Sequence, residues 1–161
     1  MSNEMMMHSA AGAALGLAAL LTVALPAAAQ TAVSVADNKV RLEDGVVVVN
    51  ANPRPDTLAI IDLARGQPRK IAEIAVPASV VGPPTSVAVT VDERLAIVTS
   101  NQKADPANAA QTIADNRVSL IDLKATPPRV LQTIESGAGA AGVSINRAGT
   151  LVLVANRNEG T

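Results

Sequence analysis

From about residue 31 to its end the chain is filled by short runs in which apolar residues alternate with small or polar ones, separated by turn residues. Period-two patterning of this kind predicts strands rather than helices. In the best-defined stretch the expected strands are 85–91, 94–100, 117–123 and 129–135, with counterparts of the first two at 141–146 and 150–156. Asp92-Glu93 joins the first pair and Arg147-Ala148-Gly149 joins its counterpart, where Gly tolerates positive φ, so both pairs are expected to be antiparallel hairpins. Both faces of these strands are apolar: Val87, Val89 and Val91 lie on one side with Ala88 on the other, and Leu95 and Ile97 oppose Ala96 and Val98. Strands buried on both sides imply sheets stacked face to face.

The pattern repeats. Leu58-Ala59-Ile60-Ile61-Asp62-Leu63 returns sixty residues later as Val118-Ser119-Leu120-Ile121-Asp122-Leu123, and Pro68-Arg69 and Ile74 map onto Pro128-Arg129 and Ile134 at the same offset. Ser86 to Val89 and Leu95 to Val98 recur at an offset of 56 as Gly142 to Ile145 and Leu151 to Val154. An apolar strand ending in Asn is read three times, at Val46 to Asn50, Ile97 to Asn101 and Leu153 to Asn156. Repeats of this length built from short strands mark stacked modules, none of which buries its faces alone.

The succession Ser86-Val87-Ala88-Val89-Thr90-Val91-Asp92-Glu93, then Leu95 to Asn101, then Arg117-Val118-Ser119-Leu120-Ile121-Asp122-Leu123 resembles the YVTN β-propeller repeat family, which overlaps the lactonase-like propellers. The resemblance covers roughly residues 32 to 161. It implies an all-β fold of propeller blades, each a four-stranded antiparallel sheet. The chain departs from the pattern at Ile97 and Leu153, where the family usually has Tyr, and at Asp92-Glu93 and Ala148-Gly149, which stand for an Asp-Gly turn. About two and a half blades are expected: units at about 31–78, 83–136 and 140–161. A propeller needs at least four to close, and Thr161 aligns with Thr57, just before the strand that begins at Leu58. The expectation is therefore the N-terminal part of a longer propeller, whose remaining blades, or other chains, close the ring.

Residues 1–29 stand apart from the repeats. Ala10 to Leu25 is an uncharged apolar run, shorter than the ~20 residues of a membrane span. Pro26 and Ala27-Ala28-Ala29 follow, as at the cleavage site of a secretory signal peptide. The segment before the run has no Lys or Arg and carries Glu4, which disagrees with that reading; an uncleaved membrane anchor is the alternative. Export to the periplasm or outside the cell is expected, with no stable membrane span after cleavage.

Removing the leader takes the only histidine, His8, and all four methionines, and leaves 13 basic and 13 acidic side chains. Near-zero net charge without a basic cluster gives no footprint for nucleic acid. There is no cysteine, so the exported chain is held by packing alone. The chain has no Phe, Tyr or Trp, which excludes base stacking and aromatic cages for cations.

Several motifs invite a sharper reading. Gly137-Ala138-Gly139-Ala140-Ala141-Gly142 matches G-x-G-x-x-G, with Glu159 twenty residues after Gly139. A dinucleotide site needs the third Gly to open a helix, whereas Gly142 opens a strand that repeats Val87 to Val89, so no cofactor is expected. Asp62 and Asp122 occupy equivalent positions, and a carboxylate recurring in each unit serves a turn rather than acid–base catalysis. Asn50, Asn101 and Asn156 are read the same way. The segment Gln102 to Asn116 is read as an insertion where the first unit has only Ala51 to Pro55, and insertions sit on loops where binding residues gather. Lys103, Asp105 and Asp115 are therefore the candidate ligand-contacting residues, against the plainer reading of a solvated, partly disordered loop. No catalytic or metal-binding residue is assigned.

Two function classes follow. One is an exported propeller that binds an unknown ligand or protein partner, or serves as a scaffold. The other, which the resemblance implies, is a lactonase-like hydrolase that opens a cyclic ester. The mature segment has no His or Cys for a nucleophilic triad or a zinc site, so a hydrolase would draw its catalytic groups from carboxylates and Arg or from missing blades.

Overall fold

The computed structural model describes residues 30–64, 66–79 and 85–161, so the expected leader at 1–29 lies outside the described residues. The described chain is all-β and forms several small antiparallel sheets. Strands β1 (Thr31–Ala36), β4 (Thr57–Asp62) and β5 (Arg69–Ala75) make a three-stranded sheet in the order β1-β4-β5. Strands β6 (Val87–Val89), β7 (Leu95–Thr99), β10 (Arg117–Asp122) and β11 (Arg129–Glu135) make a four-stranded sheet in the order β11-β10-β7-β6. Strands β12 (Ala140–Ile145) and β13 (Val152–Asn156) pair alone. Two hairpins complete the set, β2 (Val40–Glu43) with β3 (Val46–Val49), and β8 (Gln102–Ala104) with β9 (Thr112–Ala114).

The repeat read from sequence is a repeat of hydrogen-bond register. In β6–β7, Val87, Ala88 and Val89 face Val98, Ile97 and Ala96; in β12–β13, Val143, Ser144 and Ile145 face Val154, Leu153 and Val152, each 56 residues on. Leu58 faces Ile74 and Ile60 faces Ala72, as Val118 faces Ile134 and Leu120 faces Gln132, sixty residues on. The irregularity recurs too. A register shift falls between Ile60 and Ile61 in one sheet and between Leu120 and Ile121 in the other, leaving Ile71 and Leu131 as the extra residues of bulged edge strands.

Alternation explains how the sheets stack. Leu58 and Ile60 on one side, and Ala96, Val98, Ile121 and Leu123 on the other, form one core with Val76, flanked by Val33, Val35, Val87 and Val89. The opposite face of the four-stranded sheet presents Ile97 and Val118, which meet Ala140 and Val143 in a second core. The inner strands β7 and β10 of the central sheet are thus buried on both sides, as their doubly apolar sequence requires, while the edge strand β11 stays largely exposed. Leu58, Ile60 and Ile121 are fully buried, and each such side chain contributes about 1.5–3 kcal/mol relative to exposure.

The turns follow their chemistry. Asp44 and Gly45 both have positive φ, 49° and 82°, as a two-residue hairpin turn demands. Glu93 (φ 55°) and Gly149 (φ 69°) stand at equivalent places in the β6–β7 and β12–β13 turns, so the same left-handed conformation is met once by glycine and once by a residue that adopts it at a cost.

The first unit departs from its expected layout. Val46–Asn50 does not continue a sheet strand: Val46–Val49 belongs to the β2–β3 hairpin, where Val46 and Val47 are exposed. The counterpart of β7 is β1, whose Val33 and Val35 pack into the core. Burial between sheets, not apolar content, decides which strand joins the stack. In consequence Gln102 to Asn116 is no insertion peculiar to the second unit, because β8–β9 occupies the place that β2–β3 holds in the first. It is also ordered as a hairpin, with Gln102, Lys103 and Ala104 facing Ala114, Ile113 and Thr112.

Candidate functional site

Both hairpins leave the same end of their sheets, where β1 and β7 finish and β4 and β10 begin. At that end the segment Val76 to Ser79 crosses from the first sheet toward the second, and its backbone is gripped by buried side chains. Lys39, only 7% exposed, donates to the Ala78 carbonyl at 2.8 Å, pairs with Asp37 at 2.9 Å and makes a short contact with Asp56. The Asp56 carboxylate also accepts the backbone N–H groups of Asn38 and Ala78, each at 3.0 Å. An ammonium has three N–H donors and no acceptor, so three acceptors saturate Lys39. Its ammonium supplies the positive charge that both Asp37 and Asp56 face.

The second hairpin is anchored in a related way. Asp115, whose side chain is fully buried, binds the Arg117 guanidinium through Nε at 2.8 Å and Nη2 at 2.7 Å, and accepts the Asn116 N–H at 3.0 Å. Burial pushes its pKa up, but hydrogen bonds from Arg117 and Ser100, with the Arg117 charge, outweigh that and hold the carboxyl below its ordinary value. The Asp115 carbonyl takes the N–H groups of Gly139 at 2.7 Å and Ala140 at 3.2 Å, tying the hairpin base to β12. The Ser100 hydroxyl also lies 3.1 Å from the Ala78 carbonyl, and Thr99 donates to the Ala141 carbonyl at 2.8 Å. Asp56 and Arg117 meet at a cleft of about 280 Å³ walled by Pro55, Ala75, Val76 and Pro77, where the Arg117 side chain is 39% exposed.

The structure separates the three residues singled out from sequence. Lys103 lies in β8 opposite Ile113, half-buried. Asp105 closes the tip of the hairpin, its carboxylate accepting the Ala107 N–H at 2.8 Å. Asp115 is at the base, out of reach of solvent. Among the described residues no ion pair joins these three. Sequence reasoning missed Lys39, Asp56, Ser100 and Arg117. A signal exists for part of the set: Asp37-Asn38-Lys39 enters the first hairpin and Asp115-Asn116-Arg117 leaves the second, two Asp-Asn-base triplets whose outer residues share one side of an extended chain.

The remaining motifs take structural roles. Asp62 accepts the Ala64 N–H at 2.9 Å, and Asp122 accepts those of Lys124 at 2.9 Å and Ala125 at 3.0 Å, as turn carboxylates do. Gly142 lies within β12, and Glu159, which a dinucleotide site would place on a ribose, instead accepts the Ala138 N–H at 2.9 Å. At the other end of the sheets a cavity of about 550 Å³ is lined by Arg94, Asp92, Asp122, Leu131 and Arg147. There Asp92 is held below its ordinary pKa by the Thr90 hydroxyl and the Arg94 N–H. Among the described residues no group of three or more His, Cys, Asp or Glu side chains could hold a metal ion. No protein-family model, no curated protein and no solved structure matches this chain.

Proposed function

We propose that the chain is an exported repeat protein of the YVTN β-propeller kind that works as a binding or scaffold module, completed by further sheet modules. The observation that carries this reading is the state of the buried polar groups at the hairpin end. Lys39, Asp56 and Asp115 each direct their hydrogen bonds to backbone or to an opposite charge that fixes a hairpin. Side chains saturated in this way hold geometry; a catalytic acid, base or nucleophile needs a free valence toward substrate. What the end presents outward is a pair of firmly rooted hairpins carrying exposed Val46, Val47 and Ile113, a form of surface suited to a protein partner.

A photo-reactive residue at position 113 of the full-length chain, expressed in its own host, tests the reading. The expected result is one discrete cross-linked adduct that vanishes when Lys39→Met loosens the hairpin end. Turnover of aliphatic lactones above the uncatalysed rate, lost on Asp56→Asn, would replace the binding reading with the hydrolase.

A further inference from the structure

The end of the central sheet opposite the hairpins gathers three cations in one place. Arg94, just before β7, Lys124, in the turn from β10 to β11, and Arg129, at the start of β11, line an open cleft of about 630 Å³ with Asp122, Thr126 and Pro127. Among the described residues, none of the three cations stands in an ion pair. The nearby carboxylates are engaged with other groups. Asp122 accepts the Lys124 and Ala125 N–H groups, Asp92 the Thr90 hydroxyl and the Arg94 N–H, and Glu93 the Gln30 N–H. With Asp122 as its one carboxylate, the cleft carries an excess of positive charge.

The repeat shows that the sheet needs neither Arg94 nor Lys124. Leu123 N bonds to Arg94 O as Leu63 N bonds to Gln30 O, so the first unit has Gln30 where the second has Arg94. The offset of sixty likewise puts Ala64 where Lys124 stands. Arg129 has a counterpart in Arg69, but Arg69 pairs with Asp62 at 3.6 Å, whereas Arg129 faces Asp122 in the same register without such a pair. What recurs in both units serves the sheet; what the second unit alone carries is available to a ligand.

We infer that this cleft binds the phosphate group of a polyol ester, either a small soluble molecule or a lipid headgroup. Guanidinium forks present paired N–H donors to phosphate oxygens, and an ammonium adds a point charge. The volume falls within the ~300–1,000 Å³ of small-molecule sites, so the cleft has room for the carrier as well as the anion. Both bonds to Asp122 fall on Oδ1, and Oδ2 has no hydrogen bond among the described residues, which suits it to accept a hydroxyl of the polyol. The cleft lies away from the position-113 surface, so this site and the module reading fail separately.

The test titrates the full-length chain with glycerol 3-phosphate and follows its backbone amide signals. Saturable shifts are expected at Arg94, Lys124 and Arg129. Arg94→Gln and Lys124→Gln should each weaken binding about tenfold or more, and Lys124→Arg should retain it. Arg41→Gln, the same loss of charge at the hairpin end, should leave binding unchanged. Vesicles containing phosphatidylglycerol separate the two sources: poorer vesicle recovery of Arg94→Gln than of the parent chain assigns the phosphate to a headgroup, and equal recovery assigns it to a soluble ester. Absence of saturable shifts in a chain that melts cooperatively overturns the inference. So does an equal loss of binding in Arg41→Gln, which would make the attraction a matter of net charge and not of this cleft.

Discussion

The β6–β7 and β12–β13 pairs have the same register, the same turn position and the same alternation, but one lies inside a four-stranded sheet between two cores and the other has a core on one side only. Ile97 is 3% exposed and Leu153 64%. Local pairing is thus written into each hairpin by its own residues, whereas burial is conferred by neighbours. Repeat architectures divide their stability in this way, into intrinsic and interface parts.

The largest effect that would break this comparison is at the paired positions themselves. Ile97→Ala is expected to cost about 2–5 kcal/mol and Leu153→Ala less than about 0.5 kcal/mol in urea melts; equal losses would mean that β13 is covered. Next is the anchor of β12. Asp115→Asn gives up the charged pair with Arg117 and is expected to cost about 1.5–3 kcal/mol, with amide exchange rising more in β12 than in β10. Unchanged exchange in β12 would detach that strand from the hairpin base.

A smaller effect is read by pH. The Asp115 carboxyl sits below its ordinary value when folded, so its contribution is present above about pH 4 and is lost as pH falls through the folded value. The melting temperature should drop below pH 4 by less in Asp115→Asn than in the parent chain; equal drops would remove Asp115 from the acid transition. Smallest is the turn pair. Gly149→Ala places a side chain at φ 69° and should cost about 1 kcal/mol. Glu93→Gly relieves the matching strain but gives up the Gln30 N–H bond at 2.8 Å, so its net change should stay within about 1 kcal/mol.

The sheet strands were legible because identical register leaves identical spacing: Leu58 to Leu63 and Val118 to Leu123 carry the same contacts. The β2–β3 hairpin was not, because Val46–Val49 has the composition of a sheet strand and only its exposure tells otherwise. The Lys39 cluster was illegible for another reason. Its partners Asp56 and Ala78 stand 17 and 39 residues away, a proximity that the folded stack alone creates. Asp115, which the sequence places in an apparent insertion, is a buried brace paired with Arg117.

The bulges at Ile71 and Leu131 have a consequence for colloidal behaviour. Each interrupts the outermost strand of its sheet close to a charged side chain, Lys70 or Arg129, giving that rim an irregular ladder that disfavours extension by a second molecule. Two apolar side chains half open to water, 51% and 49%, are tolerated on strands made unfit for fibre growth. The register of β13 has no shift across Val152 to Ala155, so its ladder keeps the regular spacing that the two bulged strands lose.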